Sequence, residues 1–225
     1  MCIRDRGLTF CSCTKKGDIG PSGASGNSGE EVYTISFQNG LYPESSYSGI
    51  EDNRIRSDSP DTNYGNTTGG LLIGQNSSST YRVLIKFREM EKYVPENIKI
   101  KKAYLVLYSY ITSSTTTISA YALSSGWDEM TSSWVSRTVT DLWATPGGDF
   151  NSSSSVSNSV LLKKDSYEML EINPDIIADW LSNTYNNYGL ILKANNETVT
   201  NYNGIYLSEA ADILKRPKLI LYYTK

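Results

Sequence analysis

Residues 80–89 read TYRVLIKFRE. In an extended chain successive side chains point to opposite faces. Tyr81, Val83, Ile85 and Phe87 therefore share one face, and Arg82, Leu84, Lys86 and Arg88 share the other. The first set is apolar and belongs in a core. The second is a basic stripe. Just upstream, SDSPDTNYG (57–65) gathers Asp, Pro, Asn and Gly, the residue types that build turns. A turn running into a half-buried strand is the grammar of a β protein, and the rest of the chain repeats it.

Working outward, short runs rich in β-branched and aromatic residues alternate with Gly, Asn, Ser and Pro. They are VYTISF (32–37), RIRS (54–57), GLLIG (70–74), KIKKAYLVLYSYI (99–111), TISAYAL (117–123), SVLLKK (159–164), YEMLEI (167–172), GLILKA (189–194), GIYLSE (204–209) and KLILYYT (218–224). Many short strands with turn signals between them predict an all-β sandwich or jelly roll. One run breaks the pattern. In NPDIIADWLSN (173–183), Asn173 is an N-cap and Pro174 takes the first helical position. Ile176, Ile177, Trp180 and Leu181 fall at helical steps on one face. A short helix at 174–183, packed on the core at one end of the sandwich, is expected.

Composition bounds the function. The chain has 225 residues, enough for one domain with a tail, and a formal net charge of -3, too mild for a nucleic-acid binder. It contains no histidine, which excludes serine and cysteine triads in their usual form. Tyrosine is the unusual residue, with 17 copies against 4 Phe and 4 Trp. Its ring packs while its hydroxyl stays wet, so it suits half-buried strand faces and binding surfaces.

The first 29 residues read differently. Met1 to Arg6, MCIRDR, matches the translation of a transposon-end adapter used in sequencing libraries and is read as an assembly scar. GLTFCSCTKKGD (7–18) then resembles the end of a bacterial lipoprotein signal peptide. Cys13 follows the small Ser12 and is the expected lipidation site, although Phe10 stands where a lipobox has Leu. Glycine at 17, 20, 23, 26 and 29 keeps a period of three. So short a collagen-like run is expected to act as a flexible spacer between anchor and domain. The folded domain is expected over 30–225, without cysteine and so without disulfides. Lipid-anchored display on a bacterial cell surface or outer membrane, or else secretion, follows from this reading.

SDSPDTNYG, YRVLIKF, AYLVLY, GWDEMTSSW (126–134), ATPGGDF (144–150), INPDIIADWL with NYGLILKA, and SEAADILKRPKLILYYT occur here in the order typical of DNRLRE domains. Residues 52–56 read DNRIR. The chain resembles that family, also classed as family-96 carbohydrate-binding modules, over roughly residues 47–225. The resemblance implies a β-sandwich module of secreted and surface proteins. Its relatives accompany polysaccharide-degrading enzymes and archaeal cell-envelope disaggregating proteins, and uronic-acid polymers such as alginate are among its ligands. Within residues 1–225 the resemblance spans one module and reaches no enzyme domain.

Two strands offer a ligand surface. Arg82, Lys86 and Arg88 could grip the carboxylates of an acidic polysaccharide, or simply solvate a face and pair with acidic neighbours. In KAYLVLYSYI, Ala103, Leu105 and Leu107 form the core side. Tyr104, Tyr108 and Tyr110 then point outward as stacking platforms for sugar rings, or merely cover the sheet. The two sets are expected on one outer face. Asp58, Asp61 and Asn63 cluster in the turn, where they either build the turn or hold a structural calcium, the one metal expected. Asp128 and Glu129 are too close in sequence to serve as acid and nucleophile, and Trp127 and Trp134 read as buried anchors. The expected function is a non-catalytic cell-surface polysaccharide-binding module. It meets the membrane only through the lipid and binds no nucleic acid. The alternatives are a structural or adhesive envelope protein and a small polysaccharide lyase.

Overall fold

The structure, a computed structural model, describes residues 30–112 and 115–225. The stretches expected to be a scar, a lipidation site at Cys13 and a spacer lie outside the described residues. Among them are eleven strands: β1 (Tyr33–Phe37), β2 (Ile50–Arg56), β3 (Leu71–Asn76), β4 (Ser79–Phe87), β5 (Lys99–Thr112), β6 (Thr116–Ala122), β7 (Val160–Leu162), β8 (Ser166–Ile172), β9 (Leu190–Ala194), β10 (Asn201–Ile205) and β11 (Lys218–Thr224). The α-helix α1 (Pro174–Leu181) lies between β8 and β9.

Hydrogen bonding runs in the order β1-β11-β5-β10-β3-β4-β9-β6-β7, with β2 on the other edge of β4 and β8 on the other edge of β5. The pairings are antiparallel. The sheet folds over on itself through β10 and β3. One layer holds β1, β11, β5 and β8, and the other holds β2, β4, β9, β6 and β7. Leu105, Leu107, Leu170, Leu219 and Leu221 of the first layer share one core with Val83, Ile85, Ile118, Leu190 and Leu192 of the second. Each of these ten is at most 1% exposed, and burying such a side chain is worth about 1.5–3 kcal/mol. The chain is an all-β sandwich.

The inward faces of β4 and β5 are the ones that alternation assigns. The helix is also as expected, with the Asn173 side chain accepting from the Asp175 amide at 3.0 Å and Ile177 and Trp180 buried. It ends at Leu181 rather than at 183, because Asn183 takes a left-handed φ of 55°.

Two strands differ from expectation. β2 begins at Ile50, and its inward set is Ile50, Asp52, Arg54 and Arg56, opposite Phe87, Ile85, Val83 and Tyr81. Polar residues at core-facing positions masked it. β10 spans Asn201–Ile205 rather than 204–209, with Asn201 and Asn203 buried.

A second, smaller core lies on the far side of the β4 layer. The long connection from β6 to β7 folds back there, and its Leu123, Trp127 and Trp143 pack on Ile55, Leu84 and Ile191. Trp143 Nε1–H donates to Ser133 O at 2.9 Å and Trp127 Nε1–H to Tyr188 O at 2.8 Å. Each buried indole thus has its single donor satisfied.

Candidate tyrosine platform and neighbouring charged groups

The outer face of the β5 layer is a sheet of tyrosine. Residues on one face of neighbouring antiparallel strands lie side by side. In register, Tyr108 of β5 meets Tyr167 of β8, and Tyr104 sits beside Ile220 of β11. Val106 lies between Lys218 and Met169. Tyr108 meets Tyr167 edge-on at 4.9 Å between centroids. Tyr206, just past β10, lies 4.8 Å from Tyr110 and 5.9 Å from Tyr108. Tyr104 and Tyr222 form an edge-on pair at 6.0 Å. Tyr167 is 51% exposed, and the other five are partly exposed. The ring of Tyr110 lies so close over Gly70 and Gly204 that a Cβ at either would sit within 2.5 Å of it. Glycine there is a packing requirement.

One cation stands over this platform. Lys215 belongs to a 3₁₀ turn, Ile213–Lys215, in the β10–β11 connection. Its Nζ lies 5.0 Å from the Tyr108 ring centroid and 5.6 Å from that of Tyr206, within cation–π range. Lys102 and Lys218 share the outward parity of Tyr104.

The structure does not bring Arg82, Lys86 and Arg88 onto that face. β4 and β5 turn their apolar sets into one core from opposite layers, so their outward sets point away from each other. Arg82 and Lys86 meet the β6–β7 connection, and all three basic residues are paired with carboxylates of other segments. Arg82 donates to both carboxylate oxygens of Glu197, at 2.9 and 2.8 Å, and to Gly147 O at 2.7 Å. Its guanidinium stands 5.0 Å from the Trp134 ring. Lys86 pairs with Glu51 and stands 4.9 Å from the Trp127 ring. Arg88 is the exposed member and also pairs with Glu51. Trp127 is buried, as expected, and Trp134 is half-buried.

Asp58 and Asn63 are engaged with neighbouring groups. Asp58 pairs with Arg56, and that hydrogen bond holds its carboxyl down at about 2. Asn63 donates from Nδ2 to Glu129 O and Ser132 O, at 2.7 and 2.8 Å, and its Oδ1 accepts from the Gly65 amide. Asp61 is exposed.

A different set of oxygens converges nearby. Asp52, Glu129 and Glu209 each offer a carboxylate oxygen, and these atoms lie within 4.8 Å of one another. Burial, with the adjacent charge of Glu209, pushes the Asp52 carboxyl well above its usual range. Burial likewise pushes Glu129 up to about 7. Alternation gave no hint of this group, because its members come from β2 and two long connections. The signals available were a polar DNR inside a strand and the carboxylate beside Trp127. For the platform, sequence reading missed Tyr167, Tyr206, Tyr222 and Lys215, which lie on other segments than β5.

A family model for the disaggregatase related repeat domain matches residues 52–221. The chain belongs to that family. A comparison with the curated proteins finds no match.

Proposed function

We propose that this disaggregatase related repeat domain is a non-catalytic polysaccharide-binding module, and that the tyrosine platform on β5, β8, β11 and the β10 end is its binding face. The observation that carries the reading is the gathering of Tyr104, Tyr108, Tyr110, Tyr167, Tyr206 and Tyr222 on one outer face with Lys215 over two of the rings. Axial C–H groups of a sugar stack on the electron-rich ring face. A lysine beside stacked rings adds attraction for a uronate carboxylate. The resemblance to DNRLRE domains bears in the same direction. A shallow face buries little area, so affinity should be weak, on the order of micromolar to millimolar.

The test is calorimetric titration of the chain with acidic and neutral oligosaccharides, alongside Tyr108→Ala and Tyr206→Ala. Loss of binding in both, with unchanged unfolding of the domain, is the expected result. Full binding in both would reject this face. Display on a lipid at Cys13 is part of the same proposal and rests on the sequence alone. An unmodified Cys13 on a secreted product, seen by mass spectrometry, would reject it.

A further inference from the structure

We infer that Asp52, Glu129 and Glu209 form a calcium site that ties β2 to the β6–β7 and β10–β11 connections. Asp52 is fully buried at a core-facing position of an edge strand. Its Oδ2 accepts from the Ser208 amide at 2.8 Å. Its Oδ1 is buried and accepts no hydrogen bond. A buried carboxylate oxygen left without a partner is costly, and this one belongs to a group of carboxylates rather than facing a lysine or arginine. The other two members are oriented by the same kind of support. Glu129 Oε1 accepts from the Asp52 amide at 2.8 Å, and Glu209 Oε1 accepts from the Ser208 hydroxyl at 2.7 Å. Each carboxylate thus has one oxygen fixed by a neighbouring donor, the arrangement that aims metal ligands.

The chemistry of the donors selects the ion. All are carboxylate oxygens, and the chain has no histidine, which favours a hard cation over zinc or copper. Oxygens held about 2.4 Å from one calcium lie at most about 4.8 Å apart, and the separation within this group meets that limit. Magnesium dehydrates reluctantly and usually keeps several waters, so a buried set of protein carboxylates suits calcium better. Mutual repulsion opposes three charged carboxylates this close. A divalent ion resolves it and closes a cross-link among segments 77 and 156 residues apart in sequence.

The experiment is calorimetric titration and thermal unfolding of the full chain, freed of metal with a chelator and then given calcium chloride or magnesium chloride, with no glycan present. Calcium is expected to bind with Kd in the range of extracellular modules, about 10⁻⁴–10⁻³ M. At a hundredfold excess it should raise Tm by about 5–10 °C, and magnesium should raise it far less. Asp52→Asn and Glu209→Gln should each lower calcium affinity at least about tenfold. Glu209 is only partly buried, so its variant reports even if Asp52→Asn folds poorly. No calcium-dependent heat or Tm shift in the unaltered chain, or a Glu209→Gln response equal to it, would overturn the inference and leave the carboxyls sharing protons.

Discussion

Arg82 of β4 and Glu197, 115 residues later, face each other through two parallel hydrogen bonds, at 2.9 and 2.8 Å. Both side chains are 15% exposed. A planar guanidinium matched to a carboxylate in this way is a strong, oriented pair. Cutting one partner of such a pair leaves the other poorly solvated. Arg82→Ala is therefore expected to destabilise the domain by about 2–4 kcal/mol and to leave oligosaccharide affinity unchanged. Urea unfolding and calorimetry measure the two separately. Lost binding with full stability would return the ligand site to the β4 face.

Lys215 separates charge from stacking on the tyrosine platform. It is the cation over Tyr108 and Tyr206, and its ion pair with Asp212 is long, at 3.5 Å. Lys215→Gln should weaken uronate binding and flatten its salt dependence, because an exposed charge pair is screened. Binding of neutral oligosaccharides should hold. Equal loss for both ligand classes would show that the lysine positions rings rather than attracting charge.

The Asp58 carboxyl provides a pH readout. Its hydrogen bond to Arg56 holds it at about 2, against an ordinary 3.8. A carboxyl lowered by folding adds stability that is fully present above its unfolded value, and the gain is lost as pH falls through the folded one. The contribution should therefore vanish between about pH 3.8 and pH 2. Arg56→Gln should return the Asp58 titration, followed by NMR, to the ordinary carboxylate range. No change would mean that the pair is absent in solution.

The fold was legible where alternation is clean. TYRVLIKF and KAYLVLY each sort into an apolar and a polar set, and both apolar sets are in the core. The platform was half legible for the same reason: parity sends Tyr104, Tyr108 and Tyr110 outward, but it says nothing of which strands stand beside them. The basic stripe misled because parity distinguishes two faces without saying what covers the outer one. Leu84 was the clue. An aliphatic residue between Arg82 and Lys86 is out of place on a wet face, and it is fully buried under the β6–β7 connection. β2 and β10 were poorly placed because Asp52, Arg54, Asn201 and Asn203 put polar groups at buried strand positions. The acidic group was hidden because its three members meet only through tertiary structure.

Gly74 tests the turn-over of the sheet. It lies in β3 opposite Tyr202 of β10, and these two strands carry the hydrogen bonding from one layer to the other. Its φ is +114°, which side-chain-bearing residues avoid. A Cβ there would sit 2.2 Å from the Asn201 carbonyl oxygen, a backbone atom that cannot swing away. Gly74→Ala thus combines backbone strain with a clash across the β3–β10 ladder and should cost about 2–4 kcal/mol. Gly69, just before the same strand, is the control. Nothing lies within 4 Å of its Cβ position, and its φ is not positive. Gly69→Ala should be neutral or stabilise by about 0.4–1 kcal/mol, through the lower entropy of the unfolded chain. Urea unfolding of both variants gives the comparison. Similar stability in the two would mean that β3 and β10 do not join the layers through the register described, and that the sandwich closes by another path.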